Sequence, residues 1–133
     1  MKKNYNILLV DDDRLVRQTT RVCLEKMGYA LDMAENGKDA VEKWSEKEYD
    51  LIVMDVSMPV MNGLEATRTI RSIEKKRKKN KPVTIIAMTS GVTREECIQS
   101  GMNEYISKPL HKDQLCRMLS YMEEDQEGYR ISE

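Results

Sequence analysis

The sequence predicts a doubly wound α/β domain, with five parallel strands in one sheet and helices on both of its faces. Three observations predict it. Apolar runs alternate five times with stretches of helical periodicity, the order that right-handed β-α-β crossovers produce. The strongest run, Leu51-Ile52-Val53-Met54, is continuously apolar, as in strands covered on both faces. Polar residues able to hold a ligand follow the runs: Asp11 and Asp12 the first, Asp55 the third, Thr89 the fourth and Lys108 the fifth. The carboxyl edge of an open α/β sheet is where such folds keep their sites.

Each element has its own signal. Asn6–Val10 is the first strand. Arg14–Met27 follows as a helix, with Val16, Thr20, Leu24 and Met27 at helical spacing, Asp13 as its N-cap and Gly28 as its stop. Ala30–Ala34 is a second, weaker strand. Asn36-Gly37 turns the chain into a helix over Lys38–Glu46 that faces Ala40, Val41 and Trp44 inward. Leu51–Met54 is the third strand; Pro59 and Gly63 mark the loop after it. From Gly63 or Leu64 to about Ile73 the pattern is helical, with Leu64, Thr67, Ile70 and Ile73 on one stripe. Val83–Met88 is the fourth strand, Thr93–Ser100 a short helix stopped by Gly101, and Glu104–Ser107 the fifth strand. A last helix over Lys112–Glu123 places Leu115, Met118, Leu119 and Met122 inward. Residues 1–124 make one domain and 125–133 a polar tail.

Composition narrows the function. A length of 133 residues suits a single core, and Lys+Arg 22 against Asp+Glu 23 leaves a net charge of -1. That balance gives no bias toward nucleic acid or an anionic membrane. No run approaches a membrane span, and Met1 to Asn6 leads into a strand instead of a secretory leader, which predicts a cytoplasmic protein. Cys23, Cys97 and Cys116 lack metal-site spacing and read as small side chains in a reducing compartment. His111 is the sole histidine, so no two-histidine metal site can form, and His111, following Lys108-Pro109-Leu110 near a helix start, is assigned no catalytic role. The run Lys75-Lys76-Arg77-Lys78-Lys79-Asn80-Lys81 reads as a solvated helix end ahead of Pro82. Without stacking aromatics it is weak support for nucleic-acid binding.

The strand-end residues carry the chemistry. Three carboxylates at one sheet edge repel each other unless a cation or a lysine joins them. Magnesium (Mg2+) prefers one or two carboxylates together with water and phosphate oxygens. A carboxylate can attack phosphorus to form an acyl phosphate, and phosphoryl transfer then needs charge neutralisation more than covalent help. Asp11 and Asp12 suit a metal, Lys108 supplies an ammonium and Thr89 a hydroxyl. The methionines Met54, Met58, Met61 and Met88 read as packing, since thioethers suit soft metals.

Four segments, Ile7-Leu8-Leu9-Val10-Asp11-Asp12-Asp13, Asp55-Val56-Ser57-Met58-Pro59-Val60-Met61-Asn62-Gly63, Ala87-Met88-Thr89-Ser90 and Tyr105-Ile106-Ser107-Lys108-Pro109, resemble response regulator receiver domains of two-component regulatory systems. The resemblance spans about residues 5–124. It implies a flavodoxin-like fold with strand order 2-1-3-4-5. It further implies that Asp55 accepts a phosphoryl group from a phosphohistidine, on a histidine kinase or a histidine phosphotransfer domain, in a Mg2+-dependent reaction. Asp12 and Asp55 would bind the metal through their side chains, Asp11 mainly through water, and Ser57 through its backbone carbonyl. Lys108 would hold a phosphoryl oxygen, and the Lys108–Pro109 bond would be cis. Thr89 would turn toward the phosphate and Tyr105 would move inward behind it, changing contacts with a downstream protein. Such a domain is not a conventional enzyme, although it catalyses its own phosphorylation and slow dephosphorylation. Ser57 and Gly91, at positions where the family tunes phosphate lifetime, suggest an open site.

Rival chemistries fit less well. A haloacid-dehalogenase-type phosphatase needs a second aspartate two residues after the nucleophile, where this chain has Ser57. A flavin carrier needs a phosphate-cradling loop after the first strand, where Asp11-Asp12-Asp13 would repel a phosphate. On the first helix Val16, Thr20, Cys23 and Leu24 fit the buried face. Leu15, Gln18 and Val22 are left as an exposed stripe, the expected docking face for the phosphohistidine protein. The parent is either a stand-alone regulator or a hybrid histidine kinase.

Overall fold

The computed structural model describes residues 5–78, 81–108, 113–115 and 117–120. Strands β1 (Asn6–Val10), β2 (Ala30–Ala34), β3 (Leu51–Asp55), β4 (Thr84–Thr89) and β5 (Glu104–Ser107) alternate with helices α1 (Arg14–Lys26), α2 (Gly37–Glu46), α3 (Gly63–Lys76) and α4 (Arg94–Ser100). Residues 113–115 and 117–120 are also helical. The strands form one parallel sheet in the order β2-β1-β3-β4-β5, the flavodoxin-like arrangement expected. Pro109, His111, Cys116, Met122 and the tail over 125–133 lie outside the described residues, as does the conformation of the Lys108–Pro109 bond.

Side chains alternate across each strand, so the continuously apolar runs fill two cores at once. Leu8, Val10, Ile52, Met54, Ile85 and Ala87 pack on one face with Ala40 and Trp44 of α2, Ala66 and Ile70 of α3, and Cys97 of α4. Ile7, Leu9, Leu51, Val53, Ile86 and Met88 pack on the other with Leu24 of α1 and with Leu115 and Leu119. Every residue of β3 is buried. Each such aliphatic side chain stabilises the fold by about 1.5–3 kcal/mol relative to exposure.

The helix starts are capped by the residues that polar-to-apolar transitions select. Asp13 accepts from the N–H groups of Leu15 and Val16 at 2.9 and 3.2 Å. Asn36 accepts from Asp39 N–H at 2.9 Å. Asn62 with Glu65, and Thr93 with Glu96, form reciprocal capping boxes. Gly101 closes α4 with φ 113°, a left-handed conformation that favours glycine.

Several boundaries shift by one residue from expectation (α1 ends at Lys26, α2 starts at Gly37, β3 ends at Asp55 and β4 spans Thr84–Thr89), and one shifts further. Thr93 is a cap outside α4, and α3 runs on to Lys76 instead of stopping near Ile73. The extension has a cause. Glu74 is buried, accepting from Val83 N–H at 2.8 Å and from Arg71 at 2.8 Å. Arg71 also donates to the carbonyls of Gly101 and Val83 and to Asn103 Oδ1, and that oxygen accepts from Ile85 N–H at 2.8 Å. Val83, which read as the first residue of the strand, is drawn into this network ahead of β4. Beyond it Lys75, Lys76, Lys78 and Lys81 are exposed, while the Arg77 guanidinium lies 5.8 Å from the Trp44 ring centroid.

Candidate functional site

The sheet order reverses direction between β1 and β3, and side chains at their carboxyl ends flank the resulting crevice. Register does the positioning. Val10 lies opposite Met54, which brings the next residues, Asp11 and Asp55, level with each other. Asp55 lies opposite Met88, so Thr89 extends one residue further on β4. Thr89 pairs with Ser107, and Lys108 N–H donates to the Thr89 carbonyl at 2.8 Å. Parallel pairing thus gathers four segments distant in sequence onto one edge.

Asp11 is fully buried and Asp55 is 3% exposed, whereas Asp12 is exposed. One carboxylate oxygen from each of the three lies within 4.8 Å of the others. Lys108 Nζ sits 3.2 Å from Asp55 Oδ1 and 3.4 Å from Asp11 Oδ2. The other Asp11 oxygen accepts from Asp13 N–H at 2.9 Å. Burial pushes the Asp55 carboxyl up to about 6; Asp11 adds to the rise, while Lys108 and the Ser57 backbone oppose it. Burial works against the Lys108 ammonium, but the Asp55 and Asp11 carboxylates outweigh it and its pKa is raised. Three carboxylates against one ammonium leave the cleft short of positive charge. An all-oxygen donor set with that deficit fits a hard divalent cation.

Thr89 is 1% exposed, and its Oγ1 has no hydrogen-bond partner among the described residues. A buried hydroxyl without a partner costs folding energy and is ready to donate to an arriving oxygen. Tyr105 is half-buried against the core over α2, α3 and α4. Ser57 and Gly91 are exposed, and a Cβ at Gly91 would meet no atom within 4 Å.

Sequence reasoning missed Arg17, whose Nη1 donates to the Asp11 carbonyl at 2.7 Å and ties α1 to the loop carrying the acidic pair. Its spacing from Asp11 matches no local motif, so nothing in the sequence marked it. On α1, Leu15 is 75% and Val22 43% exposed, whereas Gln18 is half-buried rather than exposed. The reason is Arg21, which donates to Gln18 Oε1 from Nε at 3.0 Å and from Nη2 at 2.7 Å.

Fold and cleft together define the class: a flavodoxin-like domain with a cluster of three carboxylates and a lysine at its sheet edge. The chain matches the response regulator receiver domain family over residues 7–120, and it belongs to that family. It is similar to probable histidine kinase 6 of Oryza sativa subsp. japonica, with 38% identity over 133 residues covering 86% of this chain and 14% of that protein. It therefore spans about one seventh of that relative's length. Its fold is similar to the receiver domain of the Saccharomyces cerevisiae response regulator Ssk1, solved with the histidine phosphotransfer protein Ypd1 (TM-score 0.85, 29% identity, covering 90% of this chain and 89% of that one). It is also similar to the receiver domain of the Pseudomonas aeruginosa sensor histidine kinase PA1611, solved with a magnesium ion in its active-site cleft (TM-score 0.77, 37% identity, covering 87% and 94%). It is a two-component, phosphorelay receiver domain. Among the described residues no helix is long and apolar enough to cross a membrane.

Proposed function

We propose that this receiver takes a phosphoryl group from a phosphohistidine onto Asp55 and thereby switches its protein contacts. One observation carries the reading: a buried aspartate held 3.2 Å from a lysine ammonium, in a cluster with two further carboxylates. An Asp55 oxygen attacks phosphorus as the P–N bond breaks, and the bond's electron pair returns to the donor imidazole. Lys108, already between Asp55 and Asp11, neutralises charge on a phosphoryl oxygen. Thr89 donates its unengaged hydroxyl to another. Bound Mg2+ would neutralise further phosphoryl charge, held by Asp12 and Asp55, by Asp11 through water and by the Ser57 carbonyl. Thr89 then leaves space that Tyr105 fills, and the surface around α4, Tyr105 and the last helical segment changes for a downstream protein.

The donor is a histidine kinase or a histidine phosphotransfer domain, docking on the α1 stripe of Leu15, Gln18 and Val22. Support comes from Ssk1, a similar receiver solved with Ypd1. A cytoplasmic setting agrees with the free thiols of Cys23 and Cys97. The rice relative supports a histidine-kinase parent for the domain; a stand-alone regulator is the other arrangement the fold serves. Incubation with Mg2+ and acetyl phosphate, followed by intact mass, tests the chemistry. One phosphoryl adduct, lost in Asp55→Asn and on chelation, is expected. A folded protein that gains no adduct would refute the proposal.

A further inference from the structure

We propose that a basic pocket between the end of α3 and the amino edge of β4 and β5 binds a free oligophosphate anion, gripped by Lys75 and Lys78 over fixed donors of Arg71 and Asn103. The pocket holds about 530 Å³ and opens to solvent, with Pro82 and Gly101 in its wall. It lies at the opposite end of β4 from Thr89. Its occupant and a phosphoryl group on Asp55 therefore do not compete for space.

The floor is made of donors held in place. Four of the five guanidinium N–H groups of Arg71 go to the Gly101 and Val83 carbonyls, Glu74 Oε1 and Asn103 Oδ1. The fifth has no acceptor among the described residues, and the side chain keeps 22% exposure. A Cβ at Gly101 would lie 2.8 Å from Arg71 Cγ, so glycine there leaves the arginine its place. Asn103 Oδ1 accepts from Arg71 and from Ile85 N–H, at 2.9 and 2.8 Å. That fixes the amide and leaves its Nδ2 donors on the exposed side. The carboxylate in the lining, Glu74, is buried, with its oxygens engaged by Arg71 and by Val83 N–H.

Charge then selects an anion. Glu74 cancels Arg71, whereas Lys75 and Lys78, exposed at the rim, have no ion-pair partner among the described residues. The backbone at Lys78 adds a second sign. Its φ is 54°, in the left-handed region that glycine or asparagine takes most easily just past a helix cap. The position forgoes that ease and, being exposed, gains no burial for its side chain; what it gains is an ammonium on the pocket rim. A guanidinium, an amide and two ammoniums with no free carboxylate beside them match phosphate oxygens. The volume is in the range of small-ligand sites, enough for several linked phosphates. Among the described residues no aromatic side chain lines the pocket, so nothing there stacks a nucleobase. A bare oligophosphate fits better than single-stranded nucleic acid.

The probe is sodium tripolyphosphate, titrated into the whole chain in chelator at constant ionic strength. Tm is expected to rise saturably, by about 3–6 °C at tenfold excess over the dissociation constant. The Arg71 Nε–H, Gly101 N–H and Asn103 amide resonances should shift on the same curve. Lys78→Gly is expected to raise the Tm of the ligand-free protein by about 2–5 °C and to weaken the anion roughly five- to tenfold. Lys75→Gln should weaken it by a similar factor with Tm unchanged, and Lys76→Gln, outside the lining, by less than about twofold. No saturable response, or an equal rise with sulfate at matched ionic strength, would overturn the proposal. So would Lys76→Gln weakening the anion as much as Lys78→Gly, since that describes diffuse charge and no site. A single-stranded oligonucleotide or an acidic peptide that binds more tightly through Lys75 and Lys78 would overturn the assignment to a free oligophosphate.

Discussion

At Thr89 the folded chain keeps a hydroxyl buried without a partner among the described residues, next to a cleft that would receive a phosphate. Folding alone would favour valine here, which has the same shape and no polar atom to satisfy. Thr89→Val is therefore expected to stabilise the unphosphorylated protein by about 0.5–1 kcal/mol in a denaturant titration. The same variant should accept phosphate from acetyl phosphate more slowly and lose the change in Tyr105 environment that follows. Destabilisation by this swap would mean that the hydroxyl already has a partner. Ser57 and Gly91 are exposed and would leave a phosphoryl group on Asp55 open to water. The aspartyl phosphate is expected to decay in minutes at neutral pH when followed by mass; persistence for many hours would contradict an open cleft. The positions of Asp11, Asp12, Asp55, Thr89 and Lys108 were legible because polar residues after apolar runs are conspicuous. The Thr89 hydroxyl's lack of a partner was not, since satisfaction depends on neighbours that only the fold supplies. The conformation of Lys78 was hidden too: a lysine in a charge run announces solvent, not a positive φ.

Among the elements, the strands and helix starts were legible and the far end of α3 was not. Arg71 and Glu74 carry charge, which in a sequence reads as solvent-facing, yet they bond the end of α3 to Val83, Gly101 and Asn103. They do at the amino edge of β4 and β5 what backbone pairing does within the sheet. Arg71→Ala would strip a buried carboxylate of its cation and leave two carbonyls without that donor. The expected loss is about 2–4 kcal/mol, below that of a wholly buried pair because Arg71 retains 22% exposure. Trp44, 5% exposed beneath Arg77, supplies the fluorescence signal for unfolding. A loss below about 1 kcal/mol would show that water replaces the guanidinium at little cost. On α1 the inward stripe was legible from its period, whereas the tie from Arg21 to Gln18 was not, because surface polar pairs leave no periodic trace. Leu15→Asp, on the exposed side of the helix, should slow transfer from a phosphohistidine protein and spare acetyl phosphate. Equal slowing by both donors would place Leu15 in the chemistry instead of the docking.

For the whole molecule, the acidic cleft sets folding stability against function, and pH and metal expose that conflict. The Asp55 carboxyl is pushed up to about 6 in the fold, above its ordinary value of 3.8. The folded state therefore binds this proton more tightly than the unfolded chain does. The stabilisation from that proton is fully present below the unfolded value and is lost as pH rises through the folded one. Asp32 works in the opposite sense: the Tyr49 hydroxyl at 2.6 Å and Lys47 at 2.9 Å hold its carboxyl below the usual range, so its contribution is lost on acidification. Total stability mixes both, and the difference between wild type and Asp55→Asn isolates the cleft. In chelator, Asp55→Asn should equal wild type near about pH 4 and exceed it by about 2–3 kcal/mol near about pH 7.5. Mg2+ should then stabilise wild type more than the variant, and more at neutral than at acid pH, because cation and proton compete for the same carboxylate. Parallel stability curves for the two proteins across that range would mean that Asp55 ionises in the fold as it does in water. The cleft would then carry no strained charge for a metal to relieve.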